Sequence, residues 1–357
     1  MSVGAPSGEP VRVALVGYGM AGSLFHAPLV RATEGMRLVS VVTANPQRQA
    51  RCLADNPGVG LLDSPGALWE RAAEHDLVVI ATPTGNHVDT GLEAVAHGLA
   101  VVVDKPLAPT AAEGRRLVEA AGRAGLFLSV FHNRRWDSDT LMIERLQASG
   151  QLGAIARFES RFERWRPEAV AGAWREEVRP AEGGGIVLDL GSHVVDQALH
   201  LFGPASQVYA EIAARRPGSV EDDAFIALTH QDGVRSHLWV SAVAALAGPR
   251  VRVLGAAGAY RQDNLDGQEA ALRAGVRPGG DRSGPVPEPG SGVLASRDGQ
   301  LHVDPVAGNW PAYYRAVAAA LREGAANPVT PASALAVLEV IDAARLSAAG
   351  NGVVALP

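Results

Sequence analysis

Three short segments of the chain carry residue types and spacings that together could move a hydride and a proton. Gly17-Tyr18-Gly19-Met20-Ala21-Gly22 follows a strand-like run, Asp104-Lys105-Pro106 follows another, and Gly185–Asp196 places Asp189 four residues before His193. The glycines could hold a dinucleotide, the lysine supplies an ammonium group, and the aspartate and histidine form an acid/base pair. This combination predicts redox chemistry with a bound dinucleotide.

The glycine segment has the context of a dinucleotide-binding turn. It comes directly after the strand-like run Val11–Val16 and before Ser23–Arg31, which can continue as a helix. Glycines there permit a tight turn, close approach of the backbone to a pyrophosphate and close helix–strand packing, and the helix N-terminus favours the phosphate charge. The alternative is an ordinary turn with flexible glycines. The predicted cofactor contacts are Gly17, Tyr18, Gly19, Met20, Ala21 and Gly22.

The end of the second predicted strand bears on the choice of cofactor. The segment Val41–Arg48 contains no carboxylate, the group that usually holds the ribose hydroxyls of NAD. Thr43 and Asn45 could instead hydrogen-bond a ribose phosphate, and Arg48 could neutralise it. The segment therefore favours NADP over NAD, with the alternative that Arg48 is an ordinary solvated helix residue.

A further cofactor segment follows the strand-like run Leu77–Ala81. Open parallel sheets bind ligands at the carboxyl ends of their strands, so Thr82, Pro83 and Asn86 are candidates to line the cofactor. The alternative is that Asn86 or Thr84 only caps the helix that begins there. His87 is interpreted as a residue on the surface of that helix.

Lys105 is the candidate for the positioned ammonium group. It follows Val101–Asp104 at the carboxyl edge of the predicted sheet, and Pro106 stiffens the backbone that presents it. An ammonium group there can hydrogen-bond a substrate hydroxyl, stabilise developing oxyanion charge, and pass on a proton if burial lowers its pKa. A lone surface lysine is the alternative. We predict that Lys105 is catalytic and contacts both substrate and cofactor.

Asp189 and His193 are the candidate acid/base pair. They follow the turn Gly183-Gly184-Gly185, and their spacing would place both side chains on one face of a helix. The carboxylate could then orient the imidazole, and His193 could accept the proton of the reacting hydroxyl. Asp196 could pair with His193 or face solvent. The spacing alone is also compatible with a structural role, but together with the other two motifs it favours catalysis and substrate contact.

A metal site is an alternative for the same residues. Asp189 and His193 could bind a metal together with another histidine, such as His132 or His230. The sequence has no tight His/Cys ligand pattern, and hydride transfer with a nicotinamide requires no metal. We therefore predict no metal.

The elements that must position these residues alternate in the first third of the chain. Strand-like runs separated by helical stretches predict a parallel sheet covered on both faces. The runs are Val11–Val16, Leu38–Val42, Leu77–Ala81, Ala100–Val103 and Leu126–Phe131. Thr110-Ala111-Ala112-Glu113 is a capping box that opens a helix. Together with the glycine turn, this pattern predicts a Rossmann dinucleotide-binding domain over residues 1–135.

The pattern changes after Trp136. We predict an overall α/β fold in which residues 136–357 form a substrate-binding and oligomerisation domain of the α+β type, with an open, mostly antiparallel sheet interrupted by a helix at Gly185–Leu201. Asp232-Gly233 is a hairpin turn, and Pro278–Gln300 is predicted as a surface loop. The strand candidates are Ala154–Arg164, Gln207–Ala214, Ala224–His230, Arg235–Val243 and Arg250–Leu254. The predicted helices are Asp139–Ser149, Pro311–Arg322 and Pro331–Ala348, the last of which could pack back on the first domain.

Composition excludes several classes of protein. The 357 residues are 47% hydrophobic and 20% charged, enough for substantial cores. The net charge of -6, without a run of basic residues, argues against a nucleic-acid partner. Cys52 is the single cysteine, which excludes an intrachain disulfide and fits the cytoplasm. The first ten residues lack signal-peptide features, and no apolar stretch reaches the roughly 18 residues of a membrane span.

Taken together, the three motifs resemble the Gfo/Idh/MocA family, the glucose-fructose oxidoreductase and inositol dehydrogenase group, over most of the chain. The resemblance implies that the glycine motif binds NAD(P) and that a Glu-Lys-Pro motif carries the catalytic lysine, here Lys105. It also implies that a Gly-Gly-Gly-x-x-x-Asp-x-Gly-x-His-x-x-Asp stretch carries the acid/base pair, here Asp189 and His193. The chain departs from the family pattern at Asp104, where glutamate is usual, but it retains a carboxylate.

Two more segments, Phe131–Asp139 and Phe25–Leu29, resemble the branch of the family that contains NADP-dependent scyllo-inositol dehydrogenases. This resemblance implies that Asn133 and either Arg134 or Arg135 lie near the substrate. Further candidates for the substrate site are Asn309, Trp310 and Tyr313. The alternative for all of these residues is packing at a domain interface.

We therefore predict an NAD(P)-dependent oxidoreductase that acts on a secondary hydroxyl or ketone of a cyclic polyol or sugar, with scyllo-inositol or its inosose as the sharpest expectation. The alternatives are a sugar dehydrogenase of different specificity, a glycosidase that uses tightly held NAD, and a non-catalytic protein that senses NAD(P) or sugar. An open sheet with an uncovered face also predicts a homodimer or homotetramer.

Overall fold

The structure, a computed structural model, describes residues 9–169, 172, 174–218, 220–278 and 292–356. The first eight residues of the predicted terminal tail and residues 279–291 of the predicted loop lie outside the described residues. Within the described residues, the strands form two separate sheets, one of six strands and one of nine. The predicted α/β class is confirmed.

The first sheet is parallel throughout and has the strand order of a doubly wound dinucleotide-binding fold. Its strands are β1 (Val11–Val16), β2 (Met36–Val42), β3 (Gly60–Leu62), β4 (Leu77–Ile80), β5 (Ala100–Asp104) and β6 (Leu128–Phe131). Their order across the sheet is β3-β2-β1-β4-β5-β6. The strand order reverses between β1 and β4, so the carboxyl ends of these two strands border the crevice where such sheets bind ligands.

Helices connect these strands on both faces of the sheet. They are α1 (Ala27–Arg31), α2 (Pro46–Asp55), α3 (Pro65–Trp69), α4 (His87–Ala96) and α5 (Ala111–Ala124). A π-helical turn, Gly22–His26, precedes α1. The cap predicted for α5 is confirmed, because Thr110 Oγ1 accepts a hydrogen bond from the Glu113 main-chain N–H at 3.3 Å.

The second sheet is open and mostly antiparallel, as predicted. Its strands are β7 (Ile155–Glu163), β8 (Ala205–Ala213), β9 (Asp223–His230), β10 (Arg235–Ser241), β11 (Val251–Gly255), β12 (Gly258–Gln262), β13 (Gly292–Ser296), β14 (Gly299–Val303) and β15 (Val354–Ala355). Their order is β14-β13-β12-β11-β7-β10-β9-β8-β15. Strands β9 and β10 form the hairpin predicted at Asp232-Gly233, whereas β7 and β10 pair in parallel.

Part of the predicted loop Pro278–Gln300 is instead regular structure. Residues Gly292–Ser296 and Gly299–Val303 pair as an antiparallel hairpin at the edge of the second sheet. The residues of β14 are largely exposed, and their short polar–apolar alternation follows a stretch rich in Gly, Pro and Ser, which predicts a loop. The loop prediction is therefore wrong for residues 292–300.

The helices of the second half cover one face of its sheet and return to the first half. They are α6 (Ser138–Ala148), α7 (Trp174–Glu177), α8 (Ser192–Phe202), α9 (Gln268–Arg273), α10 (Pro311–Glu323) and α11 (Pro331–Gly350). α8 packs on β7 and β10, and α11 packs on β8, α8 and α5. Asp342 of α11 accepts a hydrogen bond from the Ala111 main-chain N–H at 2.8 Å, so the last helix joins both halves. Among the described helices, none has the length and apolarity needed to cross a bilayer.

The opposite face of the second sheet carries an aromatic cluster, which we define as Phe225, His237 and Trp239. The rings of this cluster contact one another, with 5.1 Å between the centroids of Phe225 and Trp239. The guanidinium carbon of Arg161 lies 3.9 Å from the centre of the Trp239 ring. All four side chains are only partly buried, so this face remains accessible to solvent.

Candidate active site

The glycine turn lies between β1 and the first helix, against the end of β4. Gly17 has a φ of +100°, and a Cβ on this residue would lie 2.6 Å from the carbonyl oxygen of Ala81. A Cβ on Gly22 would overlap the carbonyl oxygen of Gly17. Gly19 is different, because the nearest described atom to its Cβ position is Nη1 of Arg48 at 4.0 Å. The outer two glycines thus shape the turn, and the middle one leaves space above it.

The other side chains of the turn point in different directions. Tyr18 is buried: its hydroxyl donates to Asp55 Oδ2 at 3.0 Å and accepts from Asn56 Nδ2 at 2.8 Å. Burial raises the pKa of this phenol. The predicted cofactor contact at Tyr18 is therefore limited to its main chain. Met20 and Ala21, in contrast, line the cleft described below.

Thr43, Asn45 and Arg48 lie at the carboxyl end of β2. The Oδ1 atom of Asn45 accepts a hydrogen bond from the Arg48 main-chain N–H at 3.0 Å, so Asn45 caps α2. Thr43 is buried, and its carbonyl accepts a hydrogen bond from Gln49 at 2.9 Å. The side chain of Arg48 is exposed and reaches toward Gly19. Of the three residues, Arg48 is the best placed to meet a charged group at the turn.

The loop after β4 brings Thr82, Pro83 and Asn86 to the same edge of the sheet. The Oγ1 atom of Thr82 is buried and has no hydrogen-bond partner in the described part of the chain. Asn86 makes no side-chain capping bond to α4. The interpretation of His87 as a surface residue is wrong: it is buried, and its ring nitrogens lie 2.9 Å from the Pro106 carbonyl and 3.0 Å from the Thr82 carbonyl. His87 therefore ties the loop after β4 to the loop that carries Lys105.

Lys105 extends from the carboxyl end of β5 to the other half of the molecule. Its Nζ donates to the main-chain carbonyl of Asp189 at 2.6 Å and to Asp189 Oδ1 at 3.0 Å. An ammonium group has three donors, so one N–H remains for a substrate. Lys105 is also the only lysine of the chain, which has 31 arginines. A guanidinium does not lose its proton in proteins, whereas the ammonium group of a lysine can. Among the lysines and arginines of the chain, the one residue that is not an arginine therefore lies where a proton would be transferred.

Asp104 and His26 lie directly behind the lysine. Asp104 Oδ1 accepts a hydrogen bond from the Lys105 main-chain N–H at 2.9 Å and lies 3.5 Å from Nε2 of His26. The other ring nitrogen of His26 lies 2.6 Å from the hydroxyl of Tyr314. Burial alone would raise the pKa of Asp104, but His26 and Lys105 hold it below its usual range. The carboxylate that stands in place of the family's glutamate is thus ionised and orients the lysine backbone.

His193 lines the same cleft as Lys105 but does not bond to Asp189. The carboxylate of Asp189 is bound to Lys105, and the Nδ1 atom of His193 has no hydrogen-bond partner among the described residues. The imidazole stacks on Phe162, with 5.9 Å between ring centroids and 26° between planes. Burial, followed by the charge of Lys105, lowers the pKa of His193 well below its usual value. The imidazole is therefore neutral and able to accept a proton.

The alternatives proposed for Asp196 are both wrong. Asp196 is buried and binds Arg135, with hydrogen bonds of 2.6 to 3.2 Å between the guanidinium and the carboxylate. His132 lies on the other side of this pair, with 3.7 Å between its Nδ1 atom and Asp196 Oδ2. Arg135 is thus held by Asp196 outside the cleft lining, and of the two neighbouring arginines it is Arg134 that lines the cleft.

The predicted substrate residues divide into two groups. Asn133 and Arg134 line the cleft, and Arg134 donates to Asp137 Oδ2 at 2.8 Å. Tyr313 is fully buried behind the cleft and donates to Ser129 Oγ at 3.0 Å, so its predicted substrate contact is wrong. Trp310 lines the cleft in its place.

The cleft has a volume of about 190 Å³ and receives residues from both halves of the molecule. Sequence reasoning missed Arg164, which follows β7, and both Glu269 and Arg273, which lie on α9. Glu269 accepts hydrogen bonds from Arg134 at 3.3 Å and from Arg273 at 2.9 Å. These three residues belong to no local motif, and α9 itself was not predicted, so the sequence offered no signal for them. Among the described residues, no group of three or more His, Cys, Asp or Glu side chains could hold a metal ion.

Both halves of the chain match models of one protein family. Residues 11–132 match the model described as "Oxidoreductase family, NAD-binding Rossmann fold", and residues 140–261 match the "GFO/IDH/MocA C-terminal domain". The oxidoreductase YdgJ of Escherichia coli (strain K12) is 39% identical over 94% of this chain and 95% of its own length.

Two further relatives come from Bacillus subtilis. The protein named scyllo-inositol 2-dehydrogenase (NADP(+)) IolW, of strain 168, is 35% identical over 95% of this chain and 94% of its own length. The solved structure of the oxidoreductase yvaA is 32% identical, has a TM-score of 0.90, and covers 98% of this chain and 99% of the other.

Proposed function

Because the chain belongs to the Gfo/Idh/MocA family of NAD(P)-dependent oxidoreductases, we propose that it oxidises a secondary hydroxyl of a cyclic polyol or sugar, or reduces the corresponding ketone. The observation that carries this proposal is the hydrogen-bonded pair of Lys105 and Asp189, which joins the two halves of the molecule in the cleft that His193 also lines. Scyllo-inositol and its inosose are the proposed substrate pair.

The residues around the glycine turn fit a dinucleotide. The space above Gly19 admits a pyrophosphate next to the first helix, where main-chain N–H groups favour negative charge. The buried Oγ1 of Thr82 lacks a partner within the described residues and is available to a ligand at this edge. When bound, the nicotinamide supplies the centre that accepts or donates the hydride.

We propose NADP as the preferred cofactor. The segment 41–48 has no carboxylate to bind the ribose hydroxyls of NAD, and the exposed guanidinium of Arg48 lies close to the turn. The relative IolW carries NADP in its name. Comparison of kcat/KM for the two cofactors tests this preference, and a higher value with NAD would contradict it.

The protein's own groups divide the proton chemistry between them. The neutral His193 accepts the proton of the substrate hydroxyl during oxidation, because burial and the nearby ammonium group keep its pKa low. Lys105 donates its remaining hydrogen bond to the same oxygen and stabilises the negative charge that develops there. Asp189 orients Lys105 with its carbonyl and carboxylate oxygens, instead of orienting His193.

A substrate screen tests the proposed function. Inositols and aldoses are offered with NADP or NAD, and the absorbance of the reduced nicotinamide is followed. We expect turnover of at least one cyclic polyol, and a loss of about 100-fold or more in kcat for Lys105→Ala, since removal of one donor that stabilises an oxyanion typically costs at least that much. The matched control is Arg116→Ala, an exposed residue on the outer helix α5, which should leave turnover unchanged.

Three results would count against the proposal. Turnover that is undiminished in Lys105→Ala would remove the lysine from the chemistry. Release of aryl groups from glycosides without net change in the cofactor would favour a glycosidase. Binding of cofactor without turnover of any polyol would favour a sensing protein.

A further inference from the structure

Two guanidinium groups in the cleft, those of Arg164 and Arg166, have no acceptor within the described part of the protein, and of the two only Arg164 is partly buried. Arg134 and Arg273 are ion-paired, and so is the ammonium group of Lys105. The hydrogen bonds of Arg164 are made by its main chain, whose N–H donates to the Ser241 carbonyl at 2.8 Å and whose carbonyl accepts from Ala244 at 3.0 Å. The backbone at this position is thus fixed on both sides, while the end of the side chain is left for a ligand.

The position of the Arg164 side chain links it to the proposed base. Its guanidinium carbon lies 4.8 Å from the centre of the Phe162 ring. The same ring stacks on His193 at a centroid distance of 5.9 Å. A single aromatic side chain therefore contacts both groups, so Arg164 stands beside the proposed base.

Electrostatics indicate what kind of ligand Arg164 requires. Burial, and then the charge of Arg166, hold the pKa of the Arg164 guanidinium below its usual range. A half-buried cation without an acceptor is unfavourable, so a ligand that supplies oxygen acceptors would relieve the cost. The planar guanidinium presents parallel N–H donors, which match two oxygen atoms on adjacent atoms or on one carboxylate.

We propose that Arg164 is a substrate-binding residue that donates hydrogen bonds to two adjacent oxygens of the substrate, beside the carbon that reacts at His193. This inference rests on the proposed function and narrows its substrates to compounds that have such a pair of oxygens. The pair is either two neighbouring hydroxyls of a neutral polyol or the carboxylate of a sugar acid.

The test compares Arg164→Gln with Arg164→Lys and with the control Arg116→Gln, whose side chain is exposed on α5. Initial rates are measured with scyllo-inositol and with glucuronate, both in the presence of NADP. We expect Arg164→Gln to raise KM for the preferred compound about tenfold or more, since hydrogen bonds from a charged donor are stronger than those from a neutral amide. The KM for NADP should not change, which a general loss of structure would not allow.

The conservative variant and the two compounds refine the result. Arg164→Lys should fall between wild type and Arg164→Gln, because it keeps the charge but loses the planar fork. A loss confined to scyllo-inositol identifies the oxygens as hydroxyls, and a loss confined to glucuronate identifies a carboxylate. If KM for both compounds is the same in Arg164→Gln as in Arg116→Gln, the inference is overturned.

Equilibrium binding separates failure of this inference from failure of the proposed function. Thermal stabilisation by each compound is measured with NADP present in wild type and Arg164→Gln. Stabilisation that Arg164→Gln abolishes, without turnover in wild type, supports the role of Arg164 and rejects the redox function. Turnover in wild type that is unchanged in Arg164→Gln supports the redox function and rejects the role of Arg164. Neither turnover nor stabilisation in wild type rejects both proposals.

Discussion

The two central residues of the candidate site differ in their protonation states. The ammonium group of Lys105 is bound by two oxygen acceptors of Asp189, and burial followed by the charge of Lys105 disfavours a proton on His193. The resting site therefore has a cation that can bind an oxyanion and a neutral base that can create one. A neutral base together with a cation suits oxidation of an alcohol, because the base removes the hydroxyl proton and the cation stabilises the oxygen.

The low pKa of His193 predicts the pH dependence of alcohol oxidation. A base with a lowered pKa remains neutral to lower pH, so kcat/KM should not decline as pH falls through about 6.5, the usual value for histidine. The decline should begin only below that value. Rates measured in overlapping buffers with saturating cofactor check this, and a half-maximal point at or above the usual value would contradict the assignment.

The cause of that shift can be tested without turnover. Lys105→Met removes the charge but keeps most of the length of the unbranched side chain, so the pKa of His193 should rise while staying below its usual value, since burial is the larger cause. Imidazole resonances followed by NMR report the change. His302, exposed on the edge strand β14, is the control because its resonances should not respond to the substitution. An unchanged His193 would exclude Lys105 as a cause.

Single residues in local motifs were predictable, and residues brought together only by the fold were not. The glycine turn, Lys105 and His193 each stand in a short pattern tied to a strand end or helix start. The predicted pairing of Asp189 with His193 is wrong because it requires α-helical spacing between the two residues. Residues Val187–Gly191 form a π-helical turn, in which side chains four apart no longer align. Arg164 was missed because its place in the cleft, and the lack of an acceptor for its guanidinium among the described residues, follow only from the folded structure.

Two elements of the same unusual type begin the helices that bear on the site. A π-helical turn follows the glycine turn at Gly22–His26, and another precedes α8 at Val187–Gly191. π-helical turns are rare in proteins overall, but those that occur are often found at functional sites. The first carries His26 to a position behind Asp104, and the second carries Asp189 to Lys105. The local winding of these two elements therefore sets which polar groups meet.

The close packing of the glycine turn against β4 predicts unequal effects of two similar substitutions. Gly17 and Gly98 both have positive φ, but the Cβ position of Gly98 is in open space whereas that of Gly17 lies 2.6 Å from the Ala81 carbonyl. Gly98→Ala should lower the free energy of unfolding by about 1–2 kcal/mol, the cost of left-handed backbone. Gly17→Ala should lower it further and also weaken cofactor binding.

Chemical denaturation and titration of bound NADPH by fluorescence measure these two effects. Gly98→Ala is the matched control, because it should keep the cofactor affinity of wild type. Equal losses of stability in the two variants, or unchanged cofactor affinity in Gly17→Ala, would show that the turn tolerates a side chain and would contradict the role assigned to it.

Elements with regular apolar patterns were predicted closely, and short or exposed elements were not. β1 was predicted at its observed bounds, and the helix Pro311–Glu323 differs by one residue from its prediction. β3 has three residues, too few for a periodic pattern, and β14 is a short, largely exposed run that follows a stretch rich in Gly and Pro. The hairpin of β13 and β14 is stabilised mainly by pairing at the sheet edge, which sequence periodicity does not report.

At the scale of the whole molecule, the candidate site exists only where two sheets meet. The first contributes Lys105, the second contributes Arg164, and the helix α11 joins both halves through Asp342. The cleft geometry therefore depends on how the halves pack. The opposite face of the second sheet, with the aromatic cluster Phe225, His237 and Trp239, takes no part in the site.

We propose that this uncovered face forms the interface of a homodimer or homotetramer, because partly exposed aromatic rings on an open sheet favour burial against a second copy. Trp239→Glu should lower the molar mass measured by light scattering during gel filtration. Leu53→Glu, at an exposed apolar residue on α2, is the control and should leave the mass unchanged. A monomeric wild type, or an unchanged mass for Trp239→Glu, would contradict the proposal.

The solitary lysine makes the reactive centre chemically addressable. An acylating reagent specific for primary amines has one side-chain target in 357 residues, and that target lies at the contact between the two halves. Peptide mass spectrometry can then compare labelling at Lys105 with labelling at the chain's amino terminus as an internal standard. The ratio of the two labelling rates reports how accessible Lys105 is in the cleft, and a small molecule that binds there should lower it.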